Sequence, residues 1–141
     1  MTGQAELVAF YELTQAKAAY CRNLDNRDWD ALAALMTDDV AFGMSESDTE
    51  PETTSGRDAT LTLLQSLVVG TRTVHQVHTP EISLRGNEAT VIWAAQYRTV
   101  FENGTSVTGY GHYHERWVRQ GHGWKVASLH LRHLLTDVTQ S

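Results

Sequence analysis

The sequence predicts an α+β fold in which a curved antiparallel sheet wraps over helices gathered in the N-terminal half. Two observations carry this expectation. Apolar residues recur at the helical period of about 3.6 through the first half of the 141-residue chain and at the strand period of about 2 through the second. Four long strand-like runs in the second half are separated by "RGNE", "ENGT" and "QGHG". Each separator has hairpin turn chemistry, so the strands form a meander.

Each element has its own signal. Residues 5 to 24, "AELVAFYELTQAKAAYCRNL", carry Leu7, Phe10, Leu13, Tyr20 and Leu24 at the spacings of an amphipathic helix. Lys17 falls on that stripe and reads as an edge residue whose alkyl stem packs while its ammonium reaches water. "DNRDWDALAALMTDD" predicts a turn and a shorter helix, with Asp28 and Asp30 where the helix dipole favours negative charge and Trp29, Leu32, Leu35 and Met36 on the apolar face. "VAFGM" predicts a short strand, and "SESDTEPETTSG", 45 to 56, a polar acidic loop. Ser55 followed by Asp58 resembles a capping box opening a third helix, "RDATLTLLQSLVVG". The strands are expected at about 72 to 84, 88 to 102, 105 to 119 and 124 to 136.

Composition excludes several functions. At 141 residues the chain is expected to form one domain spanning 1 to 141. Its formal net charge of −6 offers no basic excess for nucleic-acid phosphates or an anionic membrane. Cys21 is the only cysteine, so no internal disulfide forms. The N-terminus "MTGQAELVAF" has neither a basic leader nor a long apolar core, and no apolar run is long enough to span a bilayer. A cytoplasmic location is expected.

All 7 histidines lie in the second half. His75 and His78, in "RTVHQVHTP", point to opposite sides of a regular strand and cannot converge on one metal, although Pro80 can mark a bulge or an edge. No H-E-x-x-H motif or cysteine ligand supports a metal site. In "GYGHYHERW", 109 to 117, His112 and His114 share a strand face with Tyr110 and Arg116, while Tyr113, Glu115 and Trp117 occupy the other. Either face can be the concave one. There is no G-x-S-x-G, and no glycine-rich loop leads from a strand into a helix, so neither an α/β-hydrolase nucleophile nor a nucleotide cofactor is indicated. What remains is histidine with a carboxylate: an acidic group bonded to one imidazole nitrogen sets the tautomer and leaves the other nitrogen to take a proton. Asp25 and His75, taken alone, also suit a turn residue and a strand histidine.

The segments "YCRNLDNRDWDALAALMTDDV", "GRDA", "RTVHQVHTPEISLRGNEATVIW" and "GHYHERWVRQGHGWKVASL", in this order and spacing, make the chain resemble the SnoaL-like branch of the nuclear-transport-factor-2-like superfamily, which includes scytalone dehydratase and hexachlorocyclohexane dehydrochlorinase. The resemblance implies a cone-shaped barrel of a curved sheet around three helices, enclosing one deep apolar pocket. It implies an acid/base pair of Asp25 and His75, with Asp25 orienting and His75 removing a proton, while His78 points away. It implies His112 as a proton donor and Arg132 as a group that holds a departing anion or a carbonyl oxygen. Tyr20, Leu24, Met44, Tyr110 and Arg132 become the expected substrate contacts. Leu24 and Met44 stand where scytalone dehydratase has tyrosines that grip a water, so that particular substrate is not implied. The function so implied is a dehydratase, lyase or isomerase without cofactor, acting on a small apolar or polycyclic carbonyl compound. A polyketide-type cyclase would use the same residues, and a non-catalytic binding or dimerisation module shares the fold. A homo-oligomer packed through the outer sheet face is expected, with Trp93, Trp117 and Tyr97 able to serve either that surface or the core.

Overall fold

The computed structural model of the protein describes residues 2 to 46 and 49 to 140. Helix α1, Thr2–Asp25, is followed by the single-turn α2, Trp29–Ala33, and the strands β1, Met36–Glu46, and β2, Glu52–Ser55. Helix α3, Arg57–Val68, then leads into β3, Thr71–Arg85, β4, Glu88–Phe101, β5, Ser106–Gln120, and β6, Gly123–Thr139. The six strands make one curved, open sheet in the order β2-β1-β6-β5-β4-β3. The meander β3 to β6 forms as its turns predict, at nearly the expected bounds. The sheet is not wholly antiparallel, because β1 returns alongside β6 in parallel.

The core lies between the concave face of the sheet and the helices. Leu13, Tyr20 and Leu24 of α1 are buried there as the helical stripe predicts, but Leu7 is 72 % exposed and Phe10 lies outside the core. The buried face of α1 runs instead through Ala9, Leu13, Lys17, Tyr20 and Leu24, at helical spacings of three and four. Lys17 is therefore no edge residue: it is 0 % exposed. A helical face is a direction, and the partner on the sheet decides which residues fill it.

Four local expectations are corrected by strand pairing. The second helix is only a turn long, capped by the Asp28 carboxylate accepting from the Ala31 amide at 3.2 Å, and Met36 opens β1 rather than facing a helix. β1 extends well beyond 40 to 44 because β6 pairs with it as far as Glu46. Part of the expected acidic loop is strand β2, paired with β1; residues 47 and 48 of that loop lie outside the described residues. Because Ser55 belongs to β2, it does not cap α3, whose N-cap is Gly56 at φ 100° with no side-chain cap bond. That left-handed backbone angle suits glycine and turns the chain from strand to helix at little steric cost.

Pro80 marks both features open to it: β3 is an edge strand, and its pairing with β4 shifts between His78 and Pro80. Trp93 and Trp117 are core residues, 2 % and 0 % exposed, so they do not contribute to an outer surface.

Candidate functional site

A cavity of about 230 Å³ opens between α1, α3 and the concave face of the sheet. Its apolar walls include Leu24, Phe42, Leu64 and Leu131, and its polar groups include Thr73, His75, Tyr97 and His133. Tyr20, Leu24 and Met44 line it, whereas Tyr110, His112 and Arg132 do not.

The end of α1 is held against the start of β3. The His75 Nδ1 lies 2.7 Å from Asp25 Oδ1, and the His75 backbone N–H donates to Asp25 Oδ2 at 2.9 Å. The Thr73 hydroxyl donates to Asp25 Oδ1 at 3.0 Å and in turn accepts from Arg27 at 2.8 Å. Both carboxylate oxygens are thus engaged, which fixes the carboxylate plane against the imidazole edge. With Nδ1 bonded to Asp25, the imidazole leaves Nε2 as its second functional nitrogen. Asp25 is not itself in the cavity wall: it stands behind His75, beside a surface groove that includes Arg22 and Gln76.

Arg27 holds this corner together. Its backbone is in the left-handed region at φ 60°, which aims the side chain back over the α1 terminus. The guanidinium donates to the carbonyls of Leu24 at 2.9 Å, Val68 at 3.3 Å and Thr71 at 2.8 Å, joining α1, α3 and β3. Its place in "NRDWD" looks like an ordinary turn cation, so no local signal distinguishes it.

The orientation of β5 is settled by burial. Gly109, Gly111, Tyr113, Glu115 and Trp117 face inward, and Tyr110, His112, His114 and Arg116 face outward. On β6, Leu129, Leu131 and His133 share the inward phase, so Arg132 points outward, paired in register with His112. Strand alternation therefore excludes His112, Tyr110 and Arg132 from the cavity. His112, His114 and His130 instead lie on the convex face, with the His114 and His130 rings 6.5 Å apart. His78 is also exposed, away from the cavity. Among the described residues no three His, Cys, Asp or Glu side chains converge as metal ligands.

In their place the fold supplies two residues that sequence reasoning did not select for the site, Tyr97 and His133. His75, Tyr97 and Gly109 are register partners across β3, β4 and β5. The Tyr97 ring stacks on His75, with centroids 5.9 Å apart and planes at 22°, and passes over Gly109. Its hydroxyl reaches His133 Nδ1 on β6 at 2.7 Å. Gly111 allows the β5 and β6 backbones to approach so closely that a Cβ there would collide with the Arg132 carbonyl. The retrievable signal was the phase of β6, since His133 is four residues from Leu129 and two from Leu131.

Beneath the cavity, the Lys17 ammonium sits 4.3 Å from the Tyr20 ring centroid and 3.9 Å from that of Tyr113. Burial pushes both phenols well above their ordinary ionisation range, with the Glu115 charge adding to the effect, so both remain protonated. Burial and Glu46 raise the Tyr97 phenol in the same direction.

Fold and site together define a small α+β protein that presents a carboxylate-oriented histidine to a partly open, largely apolar cavity. The chain belongs to the SnoaL-like domain family, whose model matches residues 5–130. It is 27% identical over 134 residues to a Gibberella zeae protein named Probable cyclase FGR4, a match covering 86% of this chain and 89% of that protein. Its backbone is similar to that of a Novosphingobium aromaticivorans protein provisionally assigned as a scytalone dehydratase, with TM-score 0.86 and 23% identity over 100% of this chain and 93% of that one. It is also similar to a type 2 hexachlorocyclohexane dehydrochlorinase, with TM-score 0.82 and 15% identity over 96% and 92% of the two chains. Among the described residues no helix is long and apolar enough to cross a membrane.

Proposed function

We propose that the protein is a cofactor-independent acid/base enzyme that removes a proton next to the carbonyl of a small, mostly apolar cyclic compound. The observation that carries this reading is the 2.7 Å contact between His75 Nδ1 and an Asp25 carboxylate whose two oxygens are both engaged. Such a carboxylate orients the imidazole and stabilises the imidazolium that forms when Nε2 takes a proton. His75 is part of the cavity wall, so Nε2 is the base available to a bound carbonyl compound.

In a dehydration, His75 takes the α-proton, the carbon–oxygen bond to the β-hydroxyl breaks, and the same imidazolium returns its proton to the departing oxygen. The products are the unsaturated carbonyl compound and water, and the base is regenerated. In a cyclisation, the carbanion formed by the first step attacks a second carbonyl within the substrate, a carbon–carbon bond forms, and the imidazolium returns its proton to the resulting alkoxide. The relative named as a cyclase favours keeping this second outcome. Both reactions share the first step, so one experiment tests them together.

That experiment follows hydrogen–deuterium exchange at the carbons flanking the carbonyl of 2-tetralone in D₂O. Wild-type protein is expected to accelerate exchange above buffer. Asp25→Asn and His75→Gln are expected to reduce the acceleration by about 10² to 10⁴, the usual contribution of a positioned general base. Exchange at the buffer rate in wild type, or full exchange in His75→Gln, would remove the reading and leave a non-catalytic binding module.

A further inference from the structure

We propose that His133, with its tautomer set by Tyr97, is the hydrogen-bond donor to the carbonyl oxygen of the substrate. The proposal rests on the reading of His75 as base and supplies the partner group that base requires. Proton abstraction beside a carbonyl places negative charge on oxygen, and a donor already aimed at that oxygen stabilises it most where water is excluded. The outward orientation of His112 and Arg132 takes both away from this task.

His133 has the position for it. It lines the same cavity as His75, with the Tyr97 ring between them. The ring-to-ring steps of 5.9 and 5.5 Å bound the separation of the two imidazole centroids at their sum. A ketone lying along the Tyr97 face has its carbonyl oxygen toward His133 and its α-carbon toward His75.

The tautomer follows from the hydrogen bonds. The Tyr97 phenol stays protonated, and its 2.7 Å contact is to His133 Nδ1. If the phenol donates, Nδ1 accepts and the imidazole proton resides on Nε2, which becomes a donor. If Nδ1 carried the proton, the phenolic hydrogen would lose that acceptor. His75 has the opposite arrangement, with Nδ1 donating to Asp25 and Nε2 accepting. The cavity thus holds one imidazole set as a base and one set as a donor, each fixed by the group behind it. No proton leaves His133 during the step: the hydrogen bond to the developing oxyanion strengthens and then relaxes. A neutral imidazole polarising a carbonyl in this way is chemically established.

The test uses 4-nitrophenol, whose phenolate oxygen mimics an enolate oxygen and whose colour reports ionisation, with nitrobenzene as an uncharged control. Wild-type protein is expected to prefer the phenolate over the phenol, lowering the apparent ionisation pH of the bound probe. His133→Phe is expected to lose about tenfold or more of the phenolate affinity, as for loss of a hydrogen bond to a charged acceptor, with nitrobenzene binding unchanged. Tyr97→Phe keeps the ring in place and tests the mechanism without a folding risk. It should convert His133 from the Nε2–H tautomer to a mixture in ¹⁵N NMR spectra and lower phenolate preference severalfold. No phenolate preference in wild type, an unchanged preference in His133→Phe, or an Nδ1–H tautomer for His133 would each overturn the proposal. Because phenolate binding requires no proton abstraction, its result stands apart from the exchange experiment. Exchange without phenolate preference leaves His75 as base and removes His133, whereas preference without exchange does the reverse.

Discussion

Lys17 and Glu115 stand 98 residues apart in the chain and meet at 2.5 Å with neither side chain exposed. The pair is tightly satisfied. Glu115 Oε1 accepts from the indole N–H groups of Trp93 at 2.7 Å and Trp117 at 2.8 Å, while Oε2 takes the ammonium. Lys17 also faces the rings of Tyr20 and Tyr113, so its charge is met on several sides.

Removing one member of such a pair leaves the other charged and buried. Lys17→Met is therefore expected to destabilise the protein by about 3 to 5 kcal/mol, measured by urea denaturation. Adding Glu115→Gln to that variant should recover part of the loss, because the amide oxygen still accepts from the tryptophans without carrying charge. A Lys17→Met variant within about 1 kcal/mol of wild type would mean that Glu115 takes up a proton at little expense.

Gly109 is the gap through which Tyr97 reaches His133. A Cβ at this position would collide with the Tyr97 ring at Cζ, so Gly109→Ala must drive the ring away. Overpacking of this kind costs about 1 to 3 kcal/mol. A double-mutant cycle identifies the cause: with Tyr97→Ala present, the alanine should cost little. An equal penalty in both backgrounds would locate the strain elsewhere.

The convex-face histidines make stability depend on pH. Burial lowers the affinity of His114 and His130 for protons, and the Arg132 charge adds to this, with His112 acting on His114 and His114 on His130. Glu81 and Glu50 oppose the shift on His114 and His130 respectively. Since the unfolded chain binds protons near the reference value of about 6.5 and the folded chain resists them, unfolding takes up protons below that pH. Stability present above about pH 6.5 should be lost progressively as pH falls through the lower folded values. Denaturation midpoints measured from pH 7.5 downward should decline for wild type and more shallowly for His114→Gln/His130→Gln. Equal slopes would show that other groups carry the dependence.

The sites where sequence reasoning failed share one physical origin. On β5 the sequence leaves either face able to be the concave one, and only the family resemblance favours the face carrying His112 over the one carrying Glu115 between Tyr113 and Trp117. Glu115 is inward only because Lys17 arrives from α1, and Lys17 is inward only because Glu115 is there. Each burial is unfavourable without the other, so neither can be inferred from its own segment. Once that choice is made, alternation carries His112 and Tyr110 outward, and pairing with β6 carries Arg132 with them.

Local patterning by itself determined the α+β class, the order of the three helices and of five of the six strands, and the hairpins, because periodicity and turn chemistry act over a few residues. The recurrence of family segments singled out Asp25 and His75, and the chain brings them into contact. Tertiary structure alone decided that Asp25 stands behind His75 rather than in the cavity wall, that Arg27 ties three elements together, and that Tyr97 joins His75 to His133 across Gly109. These relationships depend on which strand faces meet and on how closely backbones approach, quantities set by pairings between residues tens of positions apart.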